Sequence, residues 1–175
     1  MISDPALPSP APHPVEGPRV RRFHHIGLTV ASLERSVAFY RDVLGFDMVV
    51  SWNPRAPYIG TLVGYPDVDL HAAVLALPGS DGRLELLEYR NAVCEPVDPD
   101  NGRAGVAHIA FYVDSLDDLY ARLSEAGVAS VSTPVTPTIG PNIGGRAVYM
   151  IDPDGVRVEL IETGRSFDDF ARESR

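Results

Sequence analysis

The amino-acid sequence predicts an α+β fold of two tandem βαβββ modules, which together would form a curved, mixed β-sheet around a shared cavity. The first observation is a six-residue phrase, Arg-Leu-Glu-Leu-Leu-Glu at 83–88, that returns as Arg-Val-Glu-Leu-Ile-Glu at 157–162. The second is a histidine that opens an apolar, strand-like run upstream of each phrase, His25 before the first and His108 before the second. A repeat of about eighty residues indicates the duplication of one module rather than a solenoid array.

The first module is predicted to span 21–90 and to begin with a strand at 22–30. A helix is predicted to follow at 33–44, because Ser32 can cap its N-terminus and Gly45 can end it. Four further strands are predicted from the alternation of apolar and polar residues between turn-forming segments, at 46–52, 58–65, 70–77 and 83–90.

The second module is predicted to span 105–164, after a polar linker at 91–104 that is rich in Pro and Gly. Its elements repeat the order of the first: a strand at 105–113, a helix at 116–126 capped by Ser115, and strands near 128–135, 146–151 and 156–163. The ends of the chain are predicted to lie outside this domain. The first 20 residues include six prolines and are expected to be a disordered or extended arm, and 165–175 is a charged tail.

The composition narrows the classes of partner. A net charge of −9 disfavours nucleic acid and anionic membranes, which bind clustered Lys and Arg. The apolar runs are too short to span a bilayer. Cys94 is the only cysteine, so the chain cannot form an internal disulfide and a reducing cytoplasmic location is expected.

The alternation of side chains along a strand predicts which residues face the cavity. With each histidine pointing inward, the apolar β-branched and large residues of its strand fall on the helix side, as a half-buried strand requires. The residues predicted to face inward are His25, Thr29, Arg83, Glu85, His108, Tyr112, Arg157 and Glu159. Glu88 and Glu162 have the opposite parity and are predicted to point outward into solvent.

Two histidines and two glutamates at matching points of a duplicated unit form a candidate metal site. A carboxylate on the inner face of a strand is costly to bury unless it is paired or binds a metal. Two carboxylates and two imidazoles suit a divalent cation of borderline or hard character, with positions left open for water. The pattern therefore predicts a metal-centred cavity.

These motifs together resemble the vicinal oxygen chelate superfamily, which includes glyoxalase I, methylmalonyl-CoA epimerase, the extradiol dioxygenases and the fosfomycin and bleomycin resistance proteins. The resemblance is carried by His-Ile-Gly-Leu-Thr-Val at 25–30, Phe-Tyr-Arg-Asp-Val-Leu-Gly at 39–45, His-Ile-Ala-Phe at 108–111, and Asp-Pro-Asp-Gly at 152–155 leading to Glu159. It covers about 22–163, nearly everything outside the tails.

The resemblance implies one divalent metal ion per site, with Zn, Ni, Co, Mn and Fe(II) as candidates, held by His25, Glu85, His108 and Glu159. The glyoxalase I pattern has His, Glu, His and Glu at these positions, as here. The methylmalonyl-CoA epimerase pattern commonly has Gln at the second position, so Glu85 departs from it. A homodimer is the usual arrangement in the family, and the sequence leaves open whether a site is completed within one chain or between two.

The chemistry implied is the removal of a proton beside a metal-polarised carbonyl or vicinal-oxygen group of a small molecule. Such a reaction would make the protein an isomerase, an epimerase or a glyoxalase-like lyase. In glyoxalase-like enzymes a metal-bound glutamate moves the proton, so Glu159 is the first choice for the base and Glu85 the second.

Six further residues are predicted to bind the substrate. Arg83 and Arg157 share the inward parity and could pair with an anionic group, and the pattern does not fix the facing of His71. The full set is Thr29, His71, Arg83, Tyr112, Tyr149 and Arg157. The segment 140–145 is predicted to be a mobile flap over the site.

Two other functions stay open. One is a ring-cleaving extradiol dioxygenase that uses Fe(II): the segment from Val148 to Glu159 fits its signature, but the chain has Gly-Pro-Asn at 140–142 where the signature places a histidine. The other is a non-catalytic protein that binds an antibiotic. Resistance binders of the superfamily commonly lack the metal ligands, so an intact set favours an enzyme.

Overall fold

The computed structural model of the chain describes residues 17–92, 95 and 97–173. Most of the predicted N-terminal arm, together with Cys94 and the last two residues, lies outside the described residues. The first module contains the strands β1 (Ile26–Thr29), β2 (Asp47–Trp52), β3 (Leu70–Ala76) and β4 (Arg83–Tyr89), and the helices α1 (Leu33–Ala38) and α2 (Pro57–Val63). The second contains β5 (His108–Tyr112), α3 (Leu116–Glu125), β6 (Arg146–Ile151) and β7 (Arg157–Glu162), and the chain continues into α4 (Phe167–Glu173).

The two sheets share an arrangement of three strands, and the first sheet has a fourth strand at its edge. In the first, the strand order is β1-β4-β3-β2, and in the second it is β5-β7-β6. The strand that opens each module pairs in parallel with the strand that closes it, and the remaining pairs are antiparallel. The predicted α+β fold with a duplicated module is therefore confirmed.

The prediction of a strand at 58–65 is wrong, because residues Pro57–Val63 form the helix α2. Pro57 occupies the first turn of this helix, where its missing N–H is not needed, and Gly64 ends it in the left-handed conformation with φ of +77°. The aromatic and β-branched residues between them favour a strand, but Pro57 and Gly64 are typical of the two ends of a helix.

The strand predicted at 128–135 is reduced to two isolated bridges. Ser130 pairs with Met150 and Val135 pairs with Ala147, so this segment follows the outer edge of β6 without forming a continuous ladder. Pro134 lies between the two bridges and has no N–H to donate to a ladder. The segment occupies the place that β2 has in the first sheet.

The second glutamate of each repeated phrase binds the start of a helix, so the prediction that both are solvated is wrong. A carboxylate oxygen of Glu88 accepts a hydrogen bond from the backbone N–H of Leu33 at 3.1 Å, and one of Glu162 accepts from Leu116 at 2.6 Å. Each carboxylate satisfies an otherwise unpaired amide and lies at the positive end of its helix.

The helix caps follow the prediction in α1 and depart from it in α3. Ser32 accepts a hydrogen bond from the amide of Arg35, as expected. Ser115 makes no side-chain bond to the helix backbone and donates instead to Asp118. In the described part of the chain, no helix is both long enough and apolar enough to cross a membrane.

One apolar cluster unites the two modules. It takes in the helix-side residues of both sheets, such as Leu84 and Leu86 in β4 and Val158 and Leu160 in β7, and all of these are almost fully buried. Helices α1 and α3 contribute to the same cluster. Both sheets therefore turn their helix-covered faces toward one core, and each turns its other face away from it.

A buried polar contact fastens the modules to each other. The hydroxyl of Tyr40 donates to Asp152 at 2.9 Å, and the other oxygen of that carboxylate accepts from the amides of Asp154 and Val156. Asp154 in turn accepts from Ser36 of α1 at 2.9 Å. Burial raises the pKa of Asp152 although three donors oppose the shift, which marks these hydrogen bonds as necessary partners of a costly buried charge.

We predict that Tyr40→Phe lowers the free energy of unfolding by about 1–3 kcal/mol, because it leaves a buried carboxylate oxygen without its hydroxyl donor. Tyr58→Phe is the matched control, since Tyr58 is 66% exposed and its hydroxyl remains free to bind water. Urea denaturation of both variants measures the difference. Equal stability of the two variants would show that the contact between Tyr40 and Asp152 does not hold the modules together.

Candidate metal centre

The first His–Glu pair lies on the face of the first sheet that points away from the core. Strands β1 and β4 run in parallel with Gly27 opposite Glu85, and His25 precedes β1 by one residue. His25 Nε2 is 3.1 Å from Glu85 Oε2. The other ring nitrogen, Nδ1, is 2.6 Å from Nδ1 of His24, so both nitrogens of His25 have a neighbour.

The second pair repeats this geometry at the same register. Strands β5 and β7 run in parallel with Ala110 opposite Glu159, and His108 lies two residues before Ala110, as His25 does before Gly27. His108 Nε2 is 3.3 Å from Glu159 Oε2. The duplication read from the sequence therefore extends to the pairing of the strands and to the contact between the side chains.

Both pairs have the donor types and spacing of metal ligands. Bonds of about 2.0–2.2 Å from one cation to a histidine nitrogen and a carboxylate oxygen, at tetrahedral or octahedral angles, separate the two donor atoms by roughly 3 Å. The measured 3.1 Å and 3.3 Å agree with that separation. Each pair thus fits one edge of a coordination polyhedron, and a divalent cation bound there would have two protein ligands from that pair.

The two pairs do not meet within one chain. Among residues 17–92, 95 and 97–173 there is no group of three or more His, Cys, Asp or Glu side chains placed to hold a metal ion. The reason is the shared core, because each pair stands on the face that its sheet turns away from it. The structure thus brings His25 together with Glu85 and His108 together with Glu159, and keeps the two pairs apart.

Large side chains near the pairs are exposed on both faces. On the first, Val50 and Trp52 share the side of Glu85 by register and are 45% and 39% exposed. On the second, Tyr112 shares the side of Glu159 and is 57% exposed. Large apolar side chains grouped on one face of a sheet are characteristic of a surface that another molecule covers.

The second pair has an additional partner, Tyr149 of β6. The antiparallel register sets Tyr149 directly opposite Glu159. Its hydroxyl donates to Glu159 Oε2 at 3.2 Å, and its ring meets the ring of His108 edge-on at 5.4 Å. Burial, and then the neighbouring charge of Glu159, raise the pKa of Tyr149, so this hydroxyl keeps its proton and acts as a donor at neutral pH.

The remaining substrate-binding candidates are distributed over both sides of the sheets. Thr29 and Tyr112 lie on the faces of the His–Glu pairs, and the register sets Arg157 beside His108. Arg83 donates to the backbone carbonyls of Ser80 and Gly82, so its guanidinium is bound to the preceding turn.

His71 lies on the opposite side of the first sheet from Glu85. Its cross-strand neighbour is Glu88, which faces the helix, and its Nε2 is 3.0 Å from the side-chain amide of Asn53 and 3.4 Å from Asp69. This placement separates His71 from the candidate ligands.

An aromatic contact that the sequence did not predict lies on the face of the first pair. The ring of Tyr65, just after α2, contacts the ring of Tyr89, which shares its side of β4 with Glu85. Burial is the main cause that raises the pKa of Tyr89, and the charge of Glu85 contributes.

A cavity of about 900 Å3 lies next to α2, lined by residues between 54 and 69, and none of the four candidate ligands lines it.

Comparison with known proteins places this geometry in a family. Residues 22–160 match the sequence model of the glyoxalase/bleomycin resistance protein/dioxygenase superfamily. The chain is similar to a lactoylglutathione lyase of Salmonella typhimurium, with 34% identity over 145 residues that cover 81% of this chain and 92% of the relative. It is also similar to a 2-epi-5-epi-valiolone epimerase of an Actinomyces species, with 33% identity over 143 residues that cover 79% and 77% of the two chains.

A solved structure supports the fold independently. The crystal structure of a glyoxalase family protein from Bacillus cereus superimposes with a TM-score of 0.74 at 19% identity, covering 85% of this chain and 97% of that one. At that identity the likeness concerns the fold alone.

Proposed function

The chain belongs to the glyoxalase/bleomycin resistance protein/dioxygenase superfamily, and we propose that it is a metal-dependent enzyme that removes a proton beside a carbonyl group of a small molecule. The observation that carries this proposal is the recurrence of one His–Glu pair, with ligand-like spacing, at the same register in both modules. In each module the pair lies on the face of the sheet opposite the core, with its nitrogen and oxygen at the separation that two ligands of one cation would have.

The proposed ligands of the divalent cation are His25, Glu85, His108 and Glu159, contributed by two copies of the chain. One chain offers two donors on each open face, which is too few for a protein site that holds its metal firmly. A twofold dimer that lays the first sheet of each copy against the second sheet of the other brings four donors together twice. It would also cover the exposed side chains of Val50, Trp52 and Tyr112.

The cation and the glutamates would have separate roles in this reaction. A bound divalent cation would polarise a carbonyl or vicinal-oxygen group. Glu85 and Glu159 would then be the carboxylates available to accept a proton from the carbon next to that group. Either carboxylate can take the proton, and a pair can remove it from one side and return it to the other.

The two curated relatives support the reaction class without deciding between its members. One is named as a lyase acting on lactoylglutathione and the other as an epimerase. Removal of a proton next to a carbonyl is a step that both kinds of reaction can share. We therefore propose an isomerase, epimerase or glyoxalase-like lyase acting on a small oxygenated molecule.

We predict that the purified protein binds Zn²⁺ and catalyses exchange of carbon-bound hydrogen in deuterated water. Hydroxyacetone, dihydroxyacetone and S-lactoylglutathione are suitable test compounds, with exchange followed by proton NMR. Glu85→Gln and Glu159→Gln should each reduce the exchange rate at least a hundredfold, because each removes a carboxylate from the site.

The repeated phrase supplies matched controls for this experiment. Glu88→Gln and Glu162→Gln change the same residue type three positions later, on the helix side, and should retain exchange. Uptake of oxygen with a catechol and Fe(II) would instead favour a dioxygenase. Exchange that survives in both Glu85→Gln and Glu159→Gln would contradict the proposed base chemistry.

We further predict that two inactive variants restore each other. In a dimer with shared sites, His25→Ala and His108→Ala each damage both sites. A mixed dimer of the two variants has one doubly damaged site and one site with all four native ligands. After denaturation and refolding of an equal mixture, half of the dimers are mixed and half of their sites are intact, so about a quarter of the native zinc sites should return.

Zinc titration of the refolded mixture against each variant refolded alone measures this recovery. If each site were completed within one chain, the mixture would bind no more zinc than the separate variants do.

A further inference from the structure

The two His–Glu pairs differ in the residue that faces the glutamate across the sheet. Opposite Glu159 the antiparallel strand presents Tyr149, and opposite Glu85 the corresponding strand presents Val74. The two positions are equivalent in strand order and register. The second His–Glu pair thus has a tyrosine at this position, where the first pair has a valine.

Tyr149 touches both members of its pair. Its hydroxyl is 3.2 Å from Glu159 Oε2, the same oxygen that faces His108, and its ring packs against the His108 ring. A carboxylate oxygen has two lone pairs, so one can bind a cation while the other accepts the hydroxyl. Tyr149 therefore holds the carboxylate of Glu159 in the orientation in which it faces His108.

Glu85 has no such support. In the described part of the chain, its hydrogen-bonding and ionic partner is His25 alone. The methyl groups of Val74 cannot donate to a carboxylate. If Glu85 detached from a cation it would give up only the bond to that cation, whereas Glu159 would also have to break its bond to Tyr149.

We propose that Tyr149 is a positioning residue that keeps Glu159 on the cation as a permanent ligand and so leaves Glu85 as the carboxylate that detaches to take the substrate proton. The inference rests on the proposed function. In the step itself, the substrate C–H bond breaks, the proton goes to Glu85, and the electron pair moves to the adjacent carbonyl oxygen. No oxidant or reductant is consumed. The sequence ranks Glu159 first as the base, and the position of Tyr149 reverses that order.

Cobalt binding tests the inference without knowledge of the substrate. Tyr149→Phe removes the hydroxyl and keeps the ring against His108. It should weaken the affinity of the full-length protein for Co²⁺ about tenfold, because groups that orient a ligand typically change metal affinity tenfold or more. Tyr58→Phe, which removes an exposed hydroxyl on α2, should leave the affinity unchanged.

A double-mutant cycle separates positioning from general damage to the site. In the Glu85→Gln background, Tyr149→Phe should again cost about tenfold in Co²⁺ affinity. In the Glu159→Gln background it should cost less than twofold, since the carboxylate it orients is gone. Glu85→Gln alone should abolish hydrogen exchange while weakening Co²⁺ binding less than Glu159→Gln does.

The outcomes distinguish this inference from the proposal on which it rests. If the native protein binds cobalt and Tyr149→Phe binds it equally well, or loses affinity equally in both glutamine backgrounds, the positioning role is overturned and the metal site stands. If Glu159→Gln keeps cobalt better than Glu85→Gln, the assignment of the detaching carboxylate is overturned. If the native protein binds no cobalt, both the proposed function and this inference are wrong.

Discussion

The architecture depends on one constraint, the burial of both sheets against a single core. Side chains alternate along a strand, so a sheet that gives one face to the core must give its other face to solvent or to a partner. Here the helix-side residues of β4 and β7 enter the same apolar cluster. Glu85 and Glu159 have the opposite parity and are carried to the outside. Everything proposed about the metal centre follows from that placement.

The repeated phrase sends one glutamate to each face of its sheet. Its two glutamates are three residues apart, so they fall on opposite faces of the strand. The first meets a histidine on the open face, and the second binds the first amide of the helix in its own module. An offset of one residue would exchange these two environments, so the spacing of the two glutamates matters as well as their presence.

Much of the fold was accessible from the sequence because its signals are local. Strand alternation and the serine at the start of α1 indicated the order of the elements and the facing of the His–Glu pairs. One error arose where two local signals competed. At 58–65 the aromatic residues favoured a strand, whereas Pro57 and Gly64 favoured a helix that begins and ends at them. The hydrogen bonds of Glu88 and Glu162 to helix amides were not predicted. The alternation of side chains along a strand gives the face on which a residue lies, but it does not identify the group that the residue contacts there.

The grouping of the candidate ligands also could not be read from the sequence. Parity predicts that four side chains face inward from their sheets, but it does not say whether two sheets of one chain face each other. Anomalous X-ray diffraction at the zinc absorption edge, from crystals of the zinc-loaded protein, tests this directly. We expect a zinc peak within about 2.0–2.2 Å of His25 and Glu85 of one chain and of His108 and Glu159 of another. A peak bound by one His–Glu pair alone, or by residues elsewhere in the chain, would contradict it.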